Sequence, residues 1–329
     1  MDSKQAFVSA GQLPWKVIRR QADCVVDGMI VPIHLQFNPT NRCNSNCKWC
    51  SCRDEDRSLE LDISEIADIV SYFARLGTEA VTITGGGEPT MHPEFETIIK
   101  LFEQQSIAMG LVTNGIILSK TAADLAYLDA ALTWARISVT DTENEYSYNR
   151  IIRTCNKLPN VDIGISFVVG HNVNMSTAIG ICNLATAISN ITHIRFVQNI
   201  FDPDDMQMDA VKRICTPLTD KAIYQYRSDY TSGTENCYIS LLKPVLWADG
   251  YMYPCCGVQY ATDDLHHMPE SFRMCRWESF DGAAVFDGSR CKKCYYESYN
   301  NCLDALQGEM AHESFVQAHL LELLRSRSG

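Results

Sequence analysis

The sequence predicts an α/β fold built on a parallel sheet, open or closed into a barrel, with a small cysteine-rich module after it. Two observations predict this class. Six strand-helix units follow one another over residues 30–230, and such alternation forms parallel sheets with right-handed crossovers. From about residue 231 these units give way to a stretch dense in Cys and Tyr. We therefore divide the chain into an N-terminal extension (1–29), a barrel region (30–230) and a module with a C-terminal helix (231–329).

The first strand and the first helix have the clearest local signals. Residues 30–37 are β-branched and aromatic, which favours a strand. Residues 62–77 place apolar side chains at helical spacing, which predicts a helix. Asp62 and Glu65 are positioned as its capping box, and Gly77 as its C-cap. The later strands are expected at 80–84, 108–113, 134–139, 161–169 and 192–198, and the later helices at 93–106, 121–129, 143–156, 174–189 and along a C-terminal face of Val316, Leu320, Leu321 and Leu324.

Composition narrows the classes of function. The chain has 329 residues, which suits one large domain or a large domain with an appendage. Lys and Arg number 28 against 40 Asp and Glu, so the net charge is -12. This balance argues against a protein whose affinity comes from neutralising nucleic-acid phosphates, although it leaves room for a local basic pocket.

The cysteine content points to a metal-binding protein of the cytoplasm. The N-terminal segment lacks the apolar run and cleavage site of a signal peptide, and no stretch reaches the ~18 apolar residues of a membrane span. In such a chain the 15 cysteines favour metal binding over disulfides.

Three cysteines, Cys43, Cys47 and Cys50, form a CxxxCxxC pattern on the loop after the first strand. The carboxyl ends of parallel strands are where such folds assemble active sites. A structural zinc site is one interpretation, but it takes four ligands, and Cys52 lies too close to Cys50 to be an easy fourth. Three thiolates suit a 4Fe-4S cluster with one open iron, which can bind a substrate or cofactor.

A second motif, TGGGEP at 84–89, follows the second strand. Consecutive glycines permit positive φ and let the backbone approach a ligand closely. A tight turn is the alternative interpretation.

Together these motifs resemble the radical S-adenosylmethionine (SAM) superfamily. The resemblance lies in the cysteine spacing with the aromatic Trp49, in GGGEP, in NPTNRCN around the first cysteine and in VTNG at 112–115. It covers about residues 30–200.

The resemblance implies a partial (β/α)6 TIM-like barrel that holds a 4Fe-4S cluster on Cys43, Cys47 and Cys50. SAM would chelate the open iron. An electron from a donor such as flavodoxin or ferredoxin would then cleave SAM to a 5'-deoxyadenosyl radical, which takes hydrogen from a substrate carbon. In this superfamily the difficult chemistry belongs to the cofactor, and the protein supplies orientation and excludes water.

The same resemblance implies which residues hold SAM. The candidate contacts are Gly85, Gly86, Gly87, Glu88, Asn114 and Ser138. Alternatives remain open, because Glu88 can instead brace the loop, and Asn114 or Ser138 can cap a helix or turn. We interpret His34 in the first strand as a satisfied core histidine.

The C-terminal cysteines form a second constellation. Cys237, Gly250 and Cys255 make a CX12GX4C pattern around a predicted hairpin turn, ADG, and Cys291 and Cys294 add a CxxC. This arrangement resembles the twitch module, a shorter relative of the SPASM domain, and implies one auxiliary 4Fe-4S cluster on these four cysteines. A zinc site with the same ligands remains open, as does replacement of a ligand by Cys256, Cys275 or Cys302. The remaining cysteines, Cys24, Cys155, Cys182 and Cys215, are expected to be small buried hydrophobes.

Three functions are compatible with these motifs. The first is a radical enzyme acting on a small molecule, an oxidation of the dehydrogenase type, with isomerisation as the other outcome. The second is a peptide- or protein-modifying maturase, and nucleotide modification ranks below it. The third is a non-enzymatic metal-stapled binding protein, in which GGGEP would have no purpose. Charged residues expected at the barrel mouth are either catalytic or only solvated: Asp141, Glu143, Asp202, Asp204 and Arg195.

Overall fold

A ten-stranded sheet organises the part of the chain that the computed structural model describes, residues 25–26, 29–139, 145–228, 230–261 and 267–309. Its main part is a run of parallel strands in chain order: β3 (His34–Phe37), β4 (Ala80–Ile83), β5 (Ala108–Thr113), β6 (Leu132–Val139), β7 (Asp162–Val169), β8 (Ile191–Gln198) and β9 (Ala222–Gln225). A separate two-stranded ribbon precedes it, β1 (Val25–Val26) with β2 (Met29–Ile30). The crossover helices are α1 (Ile63–Arg75), α2 (Phe95–Gln104), α3 (Ile116–Lys120), α4 (Ala126–Ala131), α5 (Glu145–Lys157), α6 (Met175–Ala187) and α7 (Asp205–Cys215).

The sheet does not close into a full barrel. At the edge away from β9, β3 pairs in parallel with β10 (Val245–Leu246). β10 pairs antiparallel with β11 (Tyr251–Tyr253), which pairs with β12 (Cys275–Arg276). The predicted partial α/β barrel is therefore confirmed. The sequence did not locate α7 or β9, and the single helix predicted at 121–129 is wrong, since α3 and α4 stand on either side of a short loop there.

The start of α1 differs in detail from its prediction. Asp62 caps the helix, and its carboxylate accepts from the Ser64 amide at 2.8 Å. Glu65 does not complete a capping box, because its carboxylate accepts from Trp277 Nε1 at 2.9 Å and pairs with Arg276 at 3.1 Å. The residue that looked like a local cap therefore attaches the C-terminal module to the first helix.

Alternate residues of each parallel strand point to opposite sides. Phe167 and Phe196 face the helices, within the main hydrophobic core. On the inner side the rings of Trp134 and His193 lie against glycines: a Cβ atom on Gly110 would come 2.1 Å from the Trp134 ring, and one on Gly164 2.4 Å from the His193 ring. These two rings fill the floor of the partial barrel. His34, near them, hydrogen-bonds Thr82 Oγ1 at 2.8 Å, as expected of a satisfied histidine.

The C-terminal module forms a second hydrophobic core beside the sheet. It contains α8 (Ile239–Leu242), the β10–β11 hairpin and α9 (Glu297–Glu309). The predicted hairpin is confirmed, with Gly250 at φ +77 in its turn. The boundary near residue 231 stays a prediction, and β10 extends the barrel sheet itself. The predicted helical face at 316–324 lies outside the described residues, as do Cys24, Asp141 and Glu143.

No helix in the described ranges has the length and apolar character needed to cross a membrane.

Candidate functional site

The cysteines of the CxxxCxxC pattern lie on the loop between β3 and α1, where Cys43, Cys47 and Cys50 are partly buried and all line one cavity. The pKa of Cys50 is lowered to about 6, chiefly by a hydrogen bond from the Cys52 thiol, whereas burial raises the pKa of Cys43. Cys52 is buried behind them, with its Sγ 3.3 Å from Oε1 of Gln259. Cys52 thus supports Cys50 by hydrogen bonding.

The glycine loop after β4 packs directly on the cysteine loop. The Gly87 amide donates to the Thr40 carbonyl at 3.2 Å. A Cβ atom on Gly86 would lie 2.1 Å from Oδ1 of Asn41, and one on Gly87 would lie 2.0 Å from the Arg42 carbonyl oxygen. None of the three glycines has positive φ. The loop needs glycine because the Asn41 side chain and the Arg42 backbone approach it too closely for added side chains.

Glu88 ends this loop, and its buried carboxylate is engaged by the protein itself. Oε1 accepts from the hydroxyls of Thr90 and Thr113, each at 2.6 Å, and Oε2 accepts from the Asn114 amide at 2.7 Å. Burial raises the pKa of this carboxyl. These bonds tie the glycine loop to the end of β5, which is the bracing role that the sequence left open. A direct contact of Glu88 with SAM stays a prediction.

Asn114 and Ser138 stand in different surroundings. The Asn114 side chain donates to Oδ1 of Asn44 at 2.7 Å on the cysteine loop, and its own Oδ1 accepts from the Ile116 amide at 2.9 Å. Ser138 lines the cavity, whereas Asn114 is not among its lining residues. Both roles in SAM binding stay predictions.

A cavity of about 370 Å³ lies inside the partial barrel. The cysteine loop and the glycines 85–87 form one part of its wall, and the inner faces of the strands form another. The module contributes Cys256, Gln259 and the tyrosines Tyr260, Tyr295 and Tyr296. The motifs recognised separately in the sequence therefore meet around one space.

Four cationic side chains line the same cavity: Arg136 on β6, Arg195 on β8, Arg227 after β9 and Lys243 before β10. No aspartate or glutamate from the described ranges lines it. Burial and the nearby Arg195 charge lower the pKa of Arg136 to about 9, and burial with the Arg227 charge lowers that of Arg195. The barrel interior is thus positive in a chain whose net charge is -12.

Comparison with known protein families agrees with this geometry. The family described as the Radical SAM superfamily matches residues 37–185, which include the cysteine loop, the glycine loop and the strands up to β7. The chain carries a radical SAM domain. Domains of this family bind a 4Fe-4S cluster and SAM.

Individual relatives share this radical SAM domain or its fold. The GTP 3',8-cyclase of Staphylococcus aureus strain Mu3 is 32% identical over 158 residues, which cover 44% of this chain and 45% of that protein. The chain thus spans about half the length of the curated relatives it matches. The structure of Streptococcus suis SuiB bound to its precursor peptide SuiA has a TM-score of 0.59 at 12% identity, covering 89% of this chain and 76% of SuiB. The structure of anSMEcpe with bound AdoMet and the Kp18Cys peptide has a TM-score of 0.52 at 14% identity, covering 75% of this chain and 78% of that protein. At these identities the two structures establish the fold.

The site of the radical SAM domain suits these cofactors chemically. Three thiols on one loop are the donor set of a 4Fe-4S cluster that keeps one iron open. Beside them, the glycine loop lines the cavity without side chains, so a cofactor can lie against its backbone.

Two of the charged residues that the sequence placed at the barrel mouth serve another purpose. His171 contacts both carboxylates, with Nε2 2.9 Å from Asp202 and Nδ1 2.5 Å from Asp204. The hydrogen bond that His171 donates to Asp204 and the charge of Asp202 raise the pKa of His171. Asp204 also caps α7 through the Gln207 amide at 2.9 Å. Neither aspartate lines the cavity, whereas Arg195 does.

The four proposed auxiliary cysteines, Cys237, Cys255, Cys291 and Cys294, come together around the second core. Burial raises the pKa of all four thiols, and for Cys237, Cys255 and Cys291 the charges of the others contribute. Three of these sulfurs accept hydrogen bonds from N–H groups. The Gly257 amide donates to Cys255 Sγ at 3.2 Å, and the Tyr296 amide donates to Cys294 Sγ at 3.3 Å. Asn300 Nδ2 donates to Cys237 Sγ at 3.6 Å. Such donors favour thiolates at this place.

The other cysteines occupy distinct positions. Cys256 lines the main cavity, Cys275 packs against the barrel core, and Cys302 is partly buried on α9. Within the described ranges, no three His, Cys, Asp or Glu side chains approach closely enough to hold one metal ion. A 4Fe-4S cluster is larger than a single ion, and it needs its thiolates farther apart. As predicted, Cys155, Cys182 and Cys215 are buried in the main core.

Sequence reasoning missed most of the cationic lining, since it singled out Arg195 alone. A signal was present in the strands LTWARISV and ITHIRFVQ, where one arginine interrupts an otherwise apolar run. Arg227 and Lys243 lie in loops and had no comparable signal.

Proposed function

We propose that this protein is a radical SAM enzyme that oxidises a small molecule. When bound, the cluster supplies an electron that cleaves SAM, and the 5'-deoxyadenosyl radical so formed takes hydrogen from a substrate carbon. The observation that carries the proposal is the convergence of Cys43, Cys47, Cys50 and the glycine loop on one cavity.

The protein's own groups would divide the work between them. The three cysteines would hold the cluster, and Gly85, Gly86 and Gly87 with Ser138 would lie along SAM. The rings of Trp134 and His193 close the barrel floor, which keeps water from reaching a radical from below. Glu88 and Asn114 would hold the two loops in register.

The size of the cavity favours a small substrate over a folded protein. About 370 Å³ lies at the low end of the ~300–1,000 Å³ typical of small-molecule sites, and SAM and the cluster would occupy part of this space. The electron donor would be a flavodoxin or ferredoxin, and the cytoplasm remains the expected location.

The position of the auxiliary cysteines favours oxidation over isomerisation. Cys255 is a proposed ligand, and its chain neighbour Cys256 lines the cavity, so the auxiliary cluster would border the substrate. A substrate radical that has lost one hydrogen atom would give its remaining electron to this cluster and a proton to solvent. The net change is a two-electron oxidation that consumes one SAM.

Two other functions have specific support. SuiB and anSMEcpe, which share the fold, were both solved with peptides, and this favours a peptide-modifying maturase as the second candidate. The similarity to GTP 3',8-cyclases favours a nucleotide substrate and a ring-closing reaction.

The test is reductive cleavage of SAM by anaerobically reconstituted protein. We expect 5'-deoxyadenosine to form only when both reductant and SAM are present. Protein that takes up zinc in place of iron and shows no iron-sulfur absorbance would overturn the proposal.

A further inference from the structure

Three arginines from different elements line the cavity of the partial barrel. We call Arg136, Arg195 and Arg227 the arginine cluster. Arg136 and Arg195 stand on strands that flank β7, where Arg136 pairs with Gly164 and Arg195 pairs with Ser166. Of these two β7 residues, Ser166 lines the cavity, whereas Gly164 accommodates the His193 ring.

Polar and aromatic groups, not carboxylates, position the arginine cluster. Arg195 Nε donates to Oε1 of Gln225 at 2.7 Å. Arg227 lies over the Tyr260 ring, with Cζ 5.7 Å from the centroid, and Arg136 lies 5.8 Å from the Trp134 centroid. In the part of the chain that the structure describes, none of the three forms an ion pair, and Nε of Arg227 is buried without a hydrogen-bond acceptor.

Such an arrangement is costly in the empty protein. Burial first, and then repulsion between like charges, lowers the pKa values of Arg136 and Arg195. Lys243 adds a fourth cation to the same cavity wall. A bound anion offsets both the repulsion and the loss of hydration.

SAM does not supply that anion. Its one carboxylate is accompanied by an ammonium and a sulfonium group, so it brings no net negative charge into the cavity. Within the arginine cluster, Arg136 precedes Ser138 on β6, Arg195 lies in register with Ser138 through Ser166 of β7, and Arg227 follows the end of β9. The excess positive charge is therefore available to a different molecule.

We propose that the substrate carries at least two negative charges, on phosphate or carboxylate groups, and that the arginine cluster and Lys243 bind them. This inference rests on the proposed radical SAM function and names the substrate class of that same cavity. The anionic groups would lie among these four cationic side chains, and the reacting carbon would lie near the glycine loop and SAM.

The experiment titrates reconstituted holoenzyme, with SAM present and no reductant, with pyrophosphate and separately with succinate. We expect one of the two anions to bind, and its identity would distinguish phosphate from carboxylate recognition. Arg195→Gln and Arg227→Gln should each weaken that anion about tenfold, because a hydrogen bond to a charged group contributes about 1.5–3 kcal/mol. The exposed Arg213→Gln on α7 is the matched control and should bind like the parent protein.

The affinity for SAM, measured in the same variants, gives the proposal an independent check. It should stay within about twofold of the parent value, which also reports that the variants are folded. Failure of both anions to bind, binding that Arg195→Gln and Arg227→Gln leave intact, or loss of SAM affinity in these variants would each overturn the inference. The titration needs no SAM cleavage, so its outcome is separate from the test of the proposed function.

Discussion

A Cβ atom added to Gly86 would lie 2.1 Å from Oδ1 of Asn41, two residues before the first cysteine of the cluster loop. It would also come 2.7 Å from the ring of Trp247, which is fully buried. Arg57 joins the same two loops, donating to the carbonyls of Asn41 at 3.1 Å and Gly86 at 3.3 Å. The glycine loop and the cysteine loop are therefore one packed unit, and the motifs at 43–50 and 84–89 depend on each other.

Gly86→Ala should lower the iron content as well as SAM affinity. On sequence alone, a side chain at Gly86 would disturb only the cofactor and leave iron unchanged. In the structure the added methyl pushes Asn41 and the cysteine loop aside, so we expect iron per chain to fall from about eight toward about four. Iron and sulfide analysis after reconstitution measures this.

Gly170→Ala is the matched control for that change. Its Cβ would lie 3.6 Å from the nearest heavy atom, an ordinary contact, so iron should be unchanged. Normal iron in Gly86→Ala would show that the two loops move independently.

The triple variant Cys43→Ala, Cys47→Ala and Cys50→Ala should retain about four irons per chain and lose SAM cleavage. The remaining iron would belong to the auxiliary site, whose cysteines lie in a separate core. Iron quantification and detection of 5'-deoxyadenosine test the two halves of this expectation. If the variant still binds about eight irons, the ligand assignment is wrong.

The pair Cys291→Ala and Cys294→Ala should keep SAM cleavage and lose product. These residues lie beyond the cavity wall, so the first cluster would still form, but the substrate radical would have no electron acceptor. With a deuterated substrate, we expect one deuterated 5'-deoxyadenosine per product in the parent protein. Many products per SAM would instead indicate isomerisation, and full product formation by the double variant would leave the module a structural role.

His193 should make the fold sensitive to mild acid. Burial, followed by the charges of Arg136 and Arg195, lowers its pKa from 6.5 to about 3. Between those values the unfolded chain binds a proton that the folded protein does not, so the free energy of unfolding should fall as pH decreases below 6.5. Chemical denaturation from about pH 7.5 to about pH 5.5 measures the slope, which should be shallower in His193→Gln. Equal slopes in the two proteins would contradict this assignment.

Features within short stretches of sequence gave the most direct predictions. The CxxxCxxC spacing, the glycine triplet and the ADG hairpin each lie within a few residues of chain, and their chemistry or turn geometry follows from those residues. The α/β class followed from the alternation of strands and helices, since parallel strands need crossovers. Glu65 shows the limit of local reasoning, because its capping position was correct in spacing and yet its carboxylate binds Trp277, 212 residues away.

The cationic cavity was decided by tertiary structure alone. The four cationic residues come from separate elements: Arg136, Arg195, Arg227 and Lys243. They line one cavity because the inner face of the curved sheet surrounds it. The local sequence does not show which face of a strand an arginine side chain occupies. A shift of one residue in register would move that side chain from the cavity side to the helix side. The sequence by itself therefore determined the cluster-binding motif and the class of fold. Only the fold brought the four cationic side chains to one cavity, because they lie on separate elements of the chain.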